Sequence, residues 1–187
     1  MGNSETRKKA ASLRQEQIRA KAPGSFEQRG APRFVADVML GRLAKWLRIA
    51  GFDVLYSNRI SDDELVEIFN REARILLSRD TRLLVRKSVR HFVFLESQNL
   101  PDQLKQVLDF AGSSIRSAIL TRCLCCNEEL IEAPQEGMCS VVPGYVYRTQ
   151  SQFKSCPRCN RIFWAGTHRS SIVRTLEEIS KTSPGHR

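Results

Sequence analysis

No apolar run in this 187-residue chain approaches the roughly 20 residues that a membrane-spanning helix needs, which excludes a helical membrane protein. The start also lacks the basic, apolar and small-residue series that opens a secreted protein. The chain is therefore expected to be soluble and cytoplasmic. Cysteine is absent before Cys123, and all six cysteines fall between residues 123 and 159. Without an export signal, thiols stay reduced, so a disulfide framework is not expected and metal binding explains the crowding better. No internal repeat is present.

What the chain has in excess is positive charge, +10 in total. It is unevenly placed: +5 in residues 1–33, +1 in 34–112 and +4 in 113–187. Basic ends around a balanced middle suit a polyanion, because cationic side chains displace counterions condensed on phosphates. RNA is the expected partner. Residues 1–32 lack a sustained apolar face and contain Pro23, Gly24, Gly30 and Pro32, so they are expected to form a basic flexible arm. The opening MGNSET matches a Gly2 acylation pattern, with Arg7, Lys8 and Lys9 behind it. Such short patterns recur by chance, and membrane attachment is not expected.

From Phe34 the pattern alternates. FVADV reads as a strand, and Leu40, Leu43, Ala44, Leu47 and Ala50 follow at helical spacing up to Gly51. DVLYS is a second strand, and SDDELVEIFNREA a helix opened by a Ser61/Glu64 capping box. RILLS and HFVFL are further strands on either side of a short helical turn, and a helix with Pro101 at its start and Gly112 at its end closes the series. Such alternation predicts an α/β domain over 33–112, a parallel sheet flanked by helices. Residues 113–170 break into β-prone pieces around cysteine pairs, predicting a small β-rich second domain. A closing helix and frayed tail are expected over 171–187.

A parallel sheet with right-handed crossovers puts all strand C-terminal ends on one rim. Asp37 ends the first strand and Asp80 follows the third, while Asp62 and Asp63 open the helix that leaves this rim after the second strand. Carboxylates gathered there repel one another unless a hard divalent cation, Mg²⁺ or Mn²⁺, sits among them. Asp37, Asp62 and Asp80 are the expected ligands, with Asp63 an equal alternative to Asp62. A site of this kind supports phosphodiester hydrolysis. Ser78 is placed to hydrogen-bond a ligand carboxylate, and Arg42, Lys45, Arg48, Arg79 and Arg82 to receive backbone phosphates. Asp53 begins the second strand and belongs to the opposite rim. Each aspartate taken alone equally suits a helix cap or a turn. An acyl-phosphate phosphatase would want a second aspartate two residues after Asp37, where Met39 stands.

Cys123 with Cys126 and Cys156 with Cys159 form two C-x-x-C pairs. Each pair can present two sulfurs to one side of a tetrahedral Zn²⁺, and four thiolates complete a structural site that replaces part of a small domain's core. Tyr145, Tyr147, Phe153, Phe163 and Trp164 lie among Arg148, Lys154, Arg158, Arg161 and Arg169, a composition able to stack bases and bind phosphates.

The segments FVADVMLGRLAKWLRIAGFDVLYS, SDDELVEIF, RILLSRDTRLL, RCLCCNEEL and CPRCNRIFWAGTH occur in this order and resemble the Mut-seven carboxy-terminal RNase domain family over about residues 33–175. The resemblance implies a PIN-like nuclease domain followed by a zinc ribbon, and RNA cleavage dependent on Mg²⁺ or Mn²⁺. It places the acidic pattern on Asp37, Asp62 or Asp63, and Asp80, and the zinc pattern on Cys123, Cys126, Cys156 and Cys159. Many PIN domains carry a fourth acid after the fourth strand; Glu96 and Asp102 match that position poorly. The expectation is thus a metal-dependent ribonuclease whose ribbon and arm help hold RNA. The alternative is a non-catalytic module that binds RNA or a ribonucleoprotein through the same surfaces.

Overall fold

The computed structural model describes residues 31–112, 119–166 and 168–181. The expected basic arm with its acylation pattern, apart from residues 31 and 32, and the final residues expected to fray lie outside the described residues. The chain divides into two compact units, one comprising residues up to Leu47 with Phe52–Ser113, the other Arg48–Gly51 with Ser114 onward.

The first unit runs β1 (Phe34–Ala36), α1 (Gly41–Ile49, whose last two residues group with the second unit), β2 (Val54–Tyr56), α2 (Asp62–Glu72), β3 (Ile75–Ser78), α3 (Thr81–Leu84), β4 (Phe92–Phe94) and α4 (Leu100–Ala111). Its four strands are parallel, in the order β2-β1-β3-β4. This is the α/β sheet flanked by helices that the alternation predicted. β1 and β3, the inner strands, are buried along their whole length, which is why they read as continuous apolar runs rather than as alternating ones. Val35 and Leu76 face a core with Leu65 and Phe69 of α2 and Leu83 and Leu84 of α3. Phe34 points the other way, with its ring 5.7 Å from that of Phe52 and 6.5 Å from that of Phe110 on α4. Each such fully buried large side chain contributes about 1.5–3 kcal/mol.

Local signals fix the element ends. Ser61 Oγ accepts from the Glu64 amide while Glu64 accepts from the Ser61 amide, at 3.3 and 2.8 Å. Gly51 and Gly112 stop α1 and α4 at φ +95° and +57°, where a side chain would strain the backbone. The first strand is shorter than FVADV. It ends at Ala36, and Val38–Leu40 form a 3-10 turn closed by the Leu40 amide on the Asp37 carbonyl at 2.9 Å. At the opposite rim, Arg74, 6% exposed, donates to Asp53 at 2.6 Å, to Glu72 at 2.7 Å and to the Phe34 carbonyl at 3.1 Å. Burial opposes the guanidinium's charge, but the bonds to Asp53 and Glu72 outweigh it and hold its pKa above the ordinary value.

The second unit contains β5 (Ile131–Ala133), α5 (Gly144–Thr149), β6 (Phe153–Ser155), β7 (Ile162–Trp164) and α6 (His168–Lys181). Its strands form an antiparallel sheet in the order β5-β6-β7, and Phe153, Cys123, Cys156 and Leu176 are its most buried side chains. The stretch around Tyr145 departs from the β-prone reading. Pro143 supplies an extended N-cap, and its carbonyl accepts from the Tyr147 amide at 3.1 Å, which starts a helical turn despite the β-favouring Tyr145, Val146 and Tyr147. Among the described residues, no helix is long and apolar enough to cross a membrane.

Candidate functional site

The register of β1 on β3 sets the acidic rim. Ala36 stands opposite Leu77, and the Asp37 amide continues the ladder to the Leu77 carbonyl at 3.0 Å, so Asp37 comes level with Ser78. Ser78 is fully buried. Its hydroxyl donates to Asp37 Oδ2 at 2.6 Å and accepts from the Asp80 amide at 2.9 Å. Asp80 caps α3, with Oδ1 accepting from the Arg82 amide at 2.8 Å. Asp37 is 4% exposed and forms no ion pair among the described residues. Asp37 Oδ1 and Asp80 Oδ2 have no hydrogen-bond partner among the described residues.

Asp62 and Asp63 lie in the first turn of α2 but are engaged elsewhere. Arg86 donates to Asp63 at 2.6 Å and to Asp62 at 3.4 Å, and Asp63 is 91% exposed. No three carboxylates of the described residues have oxygens all within 4.8 Å of one another. The structure therefore joins Asp37, Ser78 and Asp80 and leaves Asp62 and Asp63 with an arginine. Past β4, the Ser97 hydroxyl donates to Asp102 at 2.8 Å, and Glu96 is exposed.

The basic residues separate in the same way. Arg42, Lys45 and Arg82 are exposed, and Arg82 Nε lies 3.6 Å from Asp80 Oδ1. Arg79, between Ser78 and Asp80, has a buried Nε with no hydrogen-bond partner. Arg48 corrects the phosphate-binding expectation. It is 5% exposed and donates to the carbonyls of Leu124 and Cys125 at 3.0 and 3.1 Å, because the buried run Leu47–Ala50 removes it from solvent while Arg42 and Lys45 stay outside.

In the second unit the sulfurs of Cys123, Cys126, Cys156 and Cys159 all lie within 4.8 Å of one another. Two knuckles of identical design hold them. The Cys123 amide donates to the Glu128 carbonyl and the Cys156 amide to the Arg161 carbonyl, at 2.8 and 3.0 Å. The Asn127 and Asn160 amides return to the carbonyls of Cys123 and Cys156, each at 2.9 Å. Both asparagines are left-handed, at φ +67° and +56°, a conformation that asparagine tolerates better than most residues. The repeated C-x-x-C-N is a sequence signal that goes beyond the cysteine spacing.

The thiols are unequal. The amide of Arg161, first among several donors, pulls Cys159 down to about 7. Hydrogen bonding to Cys159, then burial, pushes Cys126 up to about 12, and burial raises Cys123. One sulfur thus becomes anionic first and its neighbours resist following, a repulsion that a soft divalent cation bound by four thiolates removes. Cys125 and Cys139 are exposed, and the Arg161 guanidinium contacts the Cys125 sulfur.

With this geometry in hand, the family match is decisive: the Mut7-C RNAse domain matches residues 32–176. The chain belongs to the Mut7-C RNAse domain family. Among curated proteins and among solved structures, nothing matches the chain. Membership of the Mut7-C RNAse domain family gives the chain a nuclease-like role related to RNA and covers both the acidic rim and the cysteine tetrad. The tetrad is compatible with zinc.

Proposed function

We propose that the chain is a metal-dependent ribonuclease that hydrolyses RNA phosphodiester bonds at the acidic rim, with the cysteine-bearing unit and the basic arm adding affinity for RNA. One observation carries the reading: Asp37, buried at the end of an inner strand, shares Ser78 with Asp80 and has no cationic partner among the described residues. A carboxylate held mostly out of water, with one oxygen left open and unpartnered, is well suited to a cation that compensates it. Two carboxylates with an oxygen apiece to offer fit a hard ion, Mg²⁺ or Mn²⁺, held by Asp37 and Asp80, with Asp62 or Asp63 joining when Arg86 releases them. When bound, such an ion supplies a more acidic water and neutralises charge on the phosphate.

The chain's own residues do the positioning. Ser78 fixes Asp37 Oδ2 and the Arg82 amide fixes Asp80 Oδ1, so neither carboxylate must reorganise when substrate arrives. Half-buried Arg79 beside Asp80, with the exposed Arg42, Lys45 and Arg82, offers charge to the RNA backbone. Zn²⁺ at Cys123, Cys126, Cys156 and Cys159 is structural in this reading, since four thiolates leave no open coordination position.

A second reading, a binding module without turnover, is favoured by the Arg86 bridge that keeps Asp62 and Asp63 from completing a carboxylate triad. The test is cleavage of end-labelled RNA by zinc-loaded protein with and without Mn²⁺ or Mg²⁺, repeated with Asp37→Asn and Asp80→Asn. Cleavage should need the ion and fall to background in both variants. Undiminished cleavage by either folded variant would refute the assignment, and RNA binding without any cleavage would establish the module.

A further inference from the structure

Charge in the first unit is unevenly spread. Residues 34–112 hold twelve lysines and arginines against eleven acids, yet the nine residues from Arg82 to Arg90 contain four of the cations, Arg82, Arg86, Lys87 and Arg90, and none of the acids. This short run carries +4, and the rest of 34–112 carries −3.

The fold draws the run out into a line. Asp80 at the acidic rim is the N-cap of α3, and the chain must return to the opposite rim before β4 can pair in parallel with β3. The His91 carbonyl accepts from the Leu76 amide at 3.0 Å, so Arg90 arrives near the start of β3. The run therefore crosses the height of β3, four residues or about 13 Å at the usual strand rise. Leu83, Leu84 and Val89 turn inward to the core they share with Leu65 and Phe69, which leaves Arg82, Lys87, Ser88 and Arg90 exposed. Arg86 is engaged by Asp62 and Asp63. Lys87 and Arg90 have no ion pair among the described residues.

A line of uncompensated cations fits a partner whose negative charges repeat along its own length. A protein partner would bring an apolar centre to bury within a polar rim, and no apolar side chain of residues 85–91 is exposed to meet it. Phosphate contacts need only cations and hydroxyls. The line also begins beside Asp80, one of the two carboxylates assigned above to the ion at the cleaved phosphate.

We propose that Arg82, Lys87, Ser88 and Arg90 form a track for the RNA backbone, leading the strand away from the acidic rim across one face of the sheet. The proposal rests on the ribonuclease reading and adds the path of the strand on one side of the cleaved bond. Because it holds phosphates, the track is indifferent to base sequence.

The test uses full-length zinc-loaded protein and labelled single-stranded oligouridylate or oligoadenylate, without Mg²⁺ or Mn²⁺, so that binding is read apart from cleavage. In fluorescence anisotropy over a range of salt, the double variant Lys87→Gln with Arg90→Gln should lower the slope of log affinity against log salt by about 1.4, two phosphates at about 0.7 each on a single strand. That difference amounts to about 25-fold weaker binding at ~0.1 M salt if the two contacts contribute nothing at 1 M. Lys87→Arg with Arg90→Lys should keep both affinity and slope. Arg71→Gln with Lys105→Gln removes the same charge from α2 and α4 and should leave the slope unchanged. Where the wild type cleaves RNA, the double variant should raise KM with little change in kcat, since it holds the strand away from the reacting bond. An unchanged slope in the double variant, or an equal loss in the Arg71 and Lys105 control, overturns the track even if the wild type cleaves RNA. Polyglutamate that displaces RNA charge for charge reassigns the run to an acidic protein and overturns it as well. The expected fall in slope in a protein that cleaves nothing sustains the track and refutes the nuclease.

Discussion

Asp37→Asn should stabilise the first unit in the absence of divalent ions and make it indifferent to them in their presence. Asp37 is 4% exposed, its side chain accepts from Ser78 at 2.6 Å, and it has no ion pair among the described residues. The effective penalty for a fully enclosed, uncompensated ion is several kcal/mol, and it is smaller at Asp37, whose unpartnered oxygen is not enclosed. The hydrogen bond to the charged group returns about 1.5–3 kcal/mol of it. Asparagine has nearly the same shape, keeps an oxygen for Ser78 to donate to, and sheds the charge. The expected gain without metal is therefore at most about 1 kcal/mol, what is left of those opposing terms. Wild type should instead gain about 2.7 kcal/mol when Mn²⁺ reaches a hundred times its dissociation constant, so the order of stability inverts as the ion is added. Urea unfolding can be followed by Trp46 on α1 in a Trp164→Phe background, which confines the signal to the unit that carries the acids. A lower midpoint for Asp37→Asn without metal, or the same Mn²⁺ response in both proteins, would show that Asp37 is a structural carboxylate and that the metal reasoning fails.

Arg86→Gln should free Asp62 and Asp63 and strengthen Mn²⁺ binding in calorimetry by about tenfold, equivalent to about 1.4 kcal/mol; unchanged affinity would remove both acids from the metal proposal. A Cβ on Gly41 would meet Tyr56 Oη at 2.5 Å and Cζ at 2.8 Å, and that hydroxyl donates to the Val38 carbonyl at 3.0 Å, so Gly41→Ala should cost about 1–3 kcal/mol in urea unfolding, most of it recovered in a Tyr56→Leu background. Glu72 is held below its ordinary value of 4.5 chiefly by its hydrogen bond from Arg74, so its contribution is complete above that value and is lost as the pH falls through the lowered one; Glu72→Gln should flatten the acid limb of a stability-against-pH curve at that end. Stripping zinc should abolish amide-exchange protection at Asn127 and Asn160, whose amides close the two knuckles, while protection in β1 and β3 persists; retained protection at the knuckles would refute a metal-dependent fold there.

How much of this was legible in the sequence differs from residue to residue, and the difference is physical. Asp37 and Asp80 were readable because strand ends are set by local apolar runs and the parallel order follows from alternation. The Ser61/Glu64 box and the cysteine pairs are local too, each complete within four residues. Arg86 was not readable as the partner of Asp62 and Asp63. It lies 23 and 24 residues away, and nothing local specifies how far a long side chain reaches. Arg48 misled for a related reason. A three-residue interval with Arg42 and Lys45 suggests one polar helix face, but its guanidinium finds the carbonyls of Leu124 and Cys125, 76 and 77 positions on. The α5 helix was hidden by residues whose own preference is for strands.

Ser78 shows why the acidic rim depends on register more than on acidity. Because Ala36 lies opposite Leu77, the residue after β1 stands beside the last residue of β3, at the about 4.8 Å that separates neighbouring strands. At that spacing only a short side chain can bridge to a carboxylate in place, and serine supplies both a donor for Asp37 and an acceptor for the Asp80 amide. A slip of one residue would set Leu77 or Arg79 there. Leucine offers no hydrogen bond, and arginine would neutralise Asp37 from within the protein. Asp37, Ser78 and Asp80 are therefore one device held by backbone pairing, whereas Asp62 and Asp63 are positioned by a helix start and an exposed arginine. The first arrangement is fixed before any ligand arrives, and the second can change when one does.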